Sequence, residues 1–129
     1  MVANSREVGA YLLDRMRELL DLDIVGDVRG MGLMCGLEFV KDKATKEPFP
    51  PELKVCGLVF AEALDRGMIT FPCTGCVDGV AGDMMLMSPP LITTRDQVDE
   101  MIAILKDSIE ATQARLHDMA TPAGRQVHY

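Results

Sequence analysis

Apolar positions along the chain recur with two different periods. Val8, Leu12, Met16, Leu19 and Leu20 fall on one face of a helix, with Asn4 or Ser5 placed to cap its start and Gly26 punctuating its exit. Leu33, Cys35, Leu37 and Phe39 then alternate at period two, which predicts a strand. Gly30 and Gly32 just before them predict a tight turn or bulge, pairing a short strand over Asp27–Arg29 with one over Leu33–Val40. Lys41–Pro51 reads as a charged loop carrying Pro48, Pro50 and Pro51. Val55, Cys56, Val59, Phe60, Ala63 and Leu64 form a second helical stripe that ends at Gly67.

The spacing predicts a short strand over Met68–Phe71, a Gly-rich loop over Pro72–Asp83, and an apolar strand over Met84–Ser88 stopped by Pro89-Pro90. Thr94 with Gln97 fits a capping box. It opens a last amphipathic helix marked by Val98, Met101, Ile102, Leu105, Ile109 and Leu116. His117–Tyr129 carries no stripe and reads as a flexible tail. The order is α-β-β-α-β-β-α, which predicts an α+β fold: a small antiparallel sheet with helices packed on one face.

Composition narrows the function classes. The 129 residues suit one domain. Thirteen basic against 20 acidic side chains give a formal charge of −7, which argues against a nucleic-acid or anionic-membrane partner. No run is long and apolar enough for a membrane span, and Met1–Glu7 has no apolar core of a signal peptide. Four cysteines are too few for a disulfide scaffold, so a cytoplasmic setting with free thiols is expected. Ten Met and no Trp point to an adaptable core or interface.

Self-contained chemistry is scarce. His117 and His128 fall at or beyond the end of the last stripe and read as solvated residues. Cys73-Thr74-Gly75-Cys76 is a CxxC, a spacing that can hold a metal or a redox disulfide. No second pair completes a zinc site and no helix follows it, so the simpler reading is small buried apolar groups and no metal site. Arg29-Gly30-Met31-Gly32 lacks the spacing of a phosphate loop and reads as a turn with a structural arginine. The residues alone describe an α+β domain without a catalytic set, open to a free-standing ligand-binding or regulatory role.

Motif order adds a resemblance. The run from Val25 to Val40, VGDVRGMGLMCGLEFV, resembles the VGDVRGxGLMxGIELV segment of class III pyridoxal-phosphate-dependent aminotransferases of fold type I. Asp42–Phe49, Gly67–Pro72, Asp78–Asp83 and Ser88–Thr93 resemble the segments that follow it there, in the same order. The similarity covers about residues 4–116, which implies that residues 1–116 are a small-domain segment from the C-terminal part of such a transaminase.

The resemblance implies that the cofactor lysine and the phosphate contacts belong to a large domain absent from this chain. Lys41, Lys43, Lys46, Lys54 and Lys106 lie on predicted loops or polar helix faces, whereas a Schiff-base lysine is desolvated. Pyridoxal phosphate is therefore the cofactor of the parent family, and none is expected on this chain alone, which is expected not to transaminate. The implied partners are the large domain and further copies of the chain, as in a dimer.

The implied role is a wall of the substrate entrance, with Phe71, Pro72, Thr74, Gly75 and Leu86 as its candidates, because a Gly-rich loop can approach a ligand closely. Leu86 stands where ornithine-type members place an arginine for the substrate carboxylate, and Ala81 offers no charge. A leucine cannot make that bidentate pair, which favours an amine or ω-amino substrate. Arg29, Gly30 and Gly32 match the VRGxG motif, with Arg29 expected to staple the turn by a salt bridge.

Overall fold

The computed structural model describes residues 1–120. Helix α1 (Val2–Glu18) leads through a 3-10 turn to strands β1 (Val25–Met31) and β2 (Met34–Phe39). Helix α2 (Val55–Asp65), strands β3 (Phe71–Val77) and β4 (Ala81–Met87), and helix α3 (Arg95–Ala120) follow. The strands form one antiparallel sheet in the order β1-β2-β4-β3. This is the expected α+β order.

Period two divides the sheet into two faces. Val28, Cys35, Leu37, Phe39, Met85 and Met87 are buried toward the helices. They meet Val8, Leu12 and Met16 of α1, Val55, Val59 and Ala63 of α2, and Val98, Ile102, Leu105 and Ile109 of α3 in one core. Ser108 and Thr112 are also buried, and each hydroxyl donates to the carbonyl one turn earlier, Ile104 O at 2.7 Å and Ser108 O at 2.9 Å.

The largest departure from the sequence reading lies between Phe71 and Asp83. Met68–Thr70 is not a strand, and the expected loop is a β-hairpin. Three glycines and Pro72 disguise β3. Pro72 is tolerated because β3 is an edge strand, where one missing N–H costs no ladder bond. The hairpin signal is Asp78-Gly79: both residues have positive φ, 53° and 75°, and Val80 N–H donates to Val77 O at 3.1 Å.

Smaller differences follow the same logic. Neither Asn4 nor Ser5 caps α1, which begins at Val2. The Asn4 amide instead donates to Leu91 O at 2.8 Å and Thr93 O at 2.9 Å, tying α1 to the segment entering α3. Strand β1 runs through Gly30 to Met31, so the β1–β2 turn is Gly32-Leu33. The capping box forms as expected, with Gln97 N–H to Thr94 Oγ1 at 3.2 Å and Thr94 N–H to Gln97 Oε1 at 3.0 Å. Helix α3 continues through His117–Ala120, which the tail reading had released, and the rest of that tail lies outside the described residues. Asp99 accepts from Tyr11 and from Arg15 at 2.5 Å, joining α1 to α3.

The β1–β2 turn rests directly on α1. A Cβ added at Gly9 would lie 2.2 Å from the Gly32 carbonyl carbon, so only glycine allows this approach. Gly9→Ala is expected to lower unfolding free energy by about 1–3 kcal/mol through overpacking against backbone, read from urea denaturation.

Candidate functional site

The sheet face turned away from the helices holds the candidate site. Register assigns its residues: Asp27 opposite Glu38, Arg29 opposite Gly36, Glu38 opposite Met84, Leu86 opposite both Gly36 and Phe71, and Cys73 opposite Met84. Arg29 reaches across β1 and β2, donating to Glu38 Oε1 at 2.6 Å and also to Asp27. These bonds, to Glu38 first and then Asp27, raise the guanidinium pKa. Arg29 thus pairs with two carboxylates across β1 and β2, away from the Gly32-Leu33 turn it was expected to staple. Gly30 and Gly32 serve the strand and the turn beside it.

The five entrance candidates do not converge. Phe71, 65% exposed, and Leu86 line a cavity of about 450 Å³ with Ile69, Thr70, Ser88 and Pro89. The Thr70 hydroxyl beside it is buried with no hydrogen-bond partner. Pro72 and Thr74 point the other way, toward the helices, and line a separate groove of about 370 Å³ with Lys54, Cys56 and Asp83. Gly75 lines neither; it lies in a bulge of β3, with φ 76°. The division is the ordinary alternation of a strand, which a loop reading could not anticipate.

Asp83 is the feature the sequence reading missed. It is buried, 4% exposed, on an otherwise apolar strand. Its Oδ1 accepts the Cys56 backbone N–H at 3.0 Å, so it caps α2, a helix with no side-chain cap of its own. Lys54, left-handed at φ 50°, precedes that helix. An acid at the start of an apolar run, after Gly82, is the one signal that could have pointed to it.

Two of the four cysteines contradict the reading of small buried groups. Cys35 and Cys56 are buried, but Cys73 is half-buried and Cys76 exposed. Burial, followed by the hydrogen bond to Asp83, pushes the Cys56 thiol up to about 12. Among the described residues no cluster of three or more His, Cys, Asp and Glu could hold a metal. No helix among them is long and apolar enough to cross a membrane.

All five lysines are exposed. Lys43 and Lys46 cap backbone carbonyls, Leu22 O at 3.2 Å and Gly26 O at 2.6 Å, and Lys41 pairs with Glu47 at 3.4 Å. None has the desolvated setting that a lysine linked to pyridoxal phosphate requires, so the residues present do not fit that cofactor.

The family model for class-III aminotransferases matches residues 1–109. The chain belongs to the class III aminotransferases. An uncharacterised aminotransferase of Schizosaccharomyces pombe is 44% identical over 117 residues, which are 90% of this chain and 26% of that protein. Gamma-aminobutyrate transaminase 1 (mitochondrial) of Oryza sativa subsp. indica is 42% identical over 96 residues, 74% of this chain and 17% of that protein. Among solved structures, a transaminase from the marine bacterium Virgibacillus superposes with TM-score 0.82 at 31% identity, over 88% of this chain and 25% of that one. A PMP-bound aminotransferase from Vibrio fluvialis superposes with TM-score 0.77 at 31% identity, over 87% of this chain and 23% of that one. This class III chain therefore spans a quarter or less of the length of most of these relatives, 17% to 26%, as a fragment does.

Two outcomes test the Asp83 cap. Asp83→Ala is expected to lower unfolding free energy by about 1–3 kcal/mol, and Asp83→Asn by less because it keeps an acceptor, both read from urea denaturation. The Cys56 thiol adds a pH dependence. The folded state holds its proton up to about 12 whereas the unfolded thiol releases it from the ordinary thiol range, so stability falls as pH rises through that window. Cys56→Ser, which keeps a hydroxyl donor but does not titrate there, is expected to lose less stability between neutral and mildly alkaline pH.

Proposed function

We propose that this chain is the C-terminal small-domain part of a class III, pyridoxal-phosphate-dependent transaminase, and that it forms a wall of the substrate entrance while a large domain supplies the cofactor site. One observation carries the reading: nearly the whole chain matches a quarter of an aminotransferase, and none of its lysines is desolvated. When bound in the large domain, pyridoxal phosphate supplies the electron sink for amino-group transfer. The residues here bind and exclude. Phe71 and Leu86 present an apolar surface to the incoming substrate and keep water from it.

The charge on the open face supports an amine or ω-amino substrate. Leu86 cannot hold a carboxylate, and Arg29, the cation two strands away, is held by Asp27 and Glu38. The face is left apolar with a net acidic edge, which suits an ammonium group better than a carboxylate.

Exposed apolar side chains support docking of the large domain. Met31 and Met34 close the β1–β2 hairpin, and Phe71 begins β3 at the same end of the sheet. Ile69 stands beside Phe71, and Leu91 and Ile92 lie beside the Asn4 tether. A rim of this kind marks an interface rather than a free surface, and in isolation it favours self-association.

The purified 129-residue chain with pyridoxal phosphate, an amine donor and a keto acid is expected to give no turnover and no cofactor absorbance band. Added to the Schizosaccharomyces pombe relative lacking its matching quarter, it is expected to bind and restore transamination. Turnover by the chain alone, or no binding to that truncated relative, would refute the assignment. In the reconstituted enzyme, Leu86→Arg is expected to raise kcat/KM for a carboxylate-bearing donor over a simple amine by about tenfold, as one charge-assisted hydrogen bond supplies.

A further inference from the structure

We propose that the bulge in β3 makes Cys73 and Cys76 a dithiol pair on the open face of the sheet, a site of reversible disulfide formation by exchange with a low-molecular-weight disulfide. The placement comes from register. Residues three apart on a regular strand point to opposite faces. Here Thr74 pairs with Asp83 and Val77 with Ala81, so Gly75 and Cys76 together oppose Gly82. The extra residue, Gly75 at φ 76°, shifts the alternation by one and returns Cys76 to the face that Cys73 occupies.

Electrostatic neighbours agree with this placement. The groups acting on the Cys76 thiol are Cys73 from its own strand, Glu38 and Arg29 from the open face, and Asp83 from the strand it pairs with. A disulfide needs Cα atoms about 4.4–6.8 Å and Cβ atoms about 3.5–4.5 Å apart. Same-face neighbours on a strand stand about 6.6 Å apart, so closing the bond requires the bulge to draw the two residues together. Strand β3 is at the sheet edge, with a neighbour on one side only, so it can yield locally without disturbing a second ladder.

The exchange balances without any other redox partner. One thiolate of the pair attacks a sulfur of the small disulfide, forming a mixed disulfide and expelling one small thiolate. The second protein thiolate attacks the protein sulfur of that mixed disulfide, forming the Cys73–Cys76 bond and expelling the other. The protein loses two electrons, the small disulfide gains them, and the two thiol protons pass through solvent to the two released thiolates. Burial, then Cys73, Glu38 and Asp83, raise the Cys76 pKa against the opposing effect of Arg29. The pair stands independently of the transaminase reading.

The test is incubation of the folded chain with oxidised glutathione, acid quench, alkylation after denaturation, and intact mass with peptide mapping. Two alkylatable thiols are expected to disappear, joined as Cys73–Cys76 within one chain and restored by dithiothreitol, while buried Cys35 and Cys56 stay reduced and alkylatable after denaturation. Cys73→Ser and Cys76→Ser are each expected to retain one glutathione on the remaining thiol. Separate glutathione adducts on Cys73 and Cys76 of the unmutated chain, bonds only between chains, or no reaction where the unfolded chain reacts would each overturn the proposal.

Discussion

A single buried carboxylate joins the two layers of this molecule. Asp83 stands on β4, opposite Phe39, and its side chain crosses to the first turn of α2. A helix begins with N–H groups that have no partner within it, and α2 has no capping side chain of its own. A carboxylate buried without a donor would be costly, and so would a buried helix end without an acceptor. Each removes the other's penalty, which fixes how α2 lies across the sheet and holds the β3–β4 hairpin against it.

The rest of the architecture follows from a sheet covered on one side. The helices bury one face through a continuous apolar core. The other face keeps its charges in a cluster, Arg29 between Asp27 and Glu38, beside the uncharged strip of Leu86, Met84 and Phe71. A sheet covered on one side is stiff behind and variable in front. The scaffold residues are held by packing, while the presented surface can vary without disturbing the core. The register shifts once in β1, between Val25 and Asp27, and once in β3, and the β3 bulge decides which of that strand's side chains reach that surface.

Much of this is legible in local signals. The α1 and α3 stripes, the β2 alternation, the Thr94–Gln97 cap and the Gly67 stop are all written in neighbouring residues, because helix and strand periods are local properties. Strand β3 is not legible in this way, because Pro72, Gly75 and Gly79 are loop residues by propensity and become strand and turn only when β4 pairs with them.

The chain by itself determined its element order, the composition of its core and, through five ordered segments, its family. Tertiary pairing alone decided that Phe71 and Leu86 share a face while Pro72 and Thr74 turn to the other. It alone decided that Cys73 and Cys76 come to one side, and that Asp83 caps a helix 27 residues earlier. Periodicity is carried by each residue's immediate neighbours. Facing, register and long-range capping depend on which distant strand lies alongside, and no single segment carries that information.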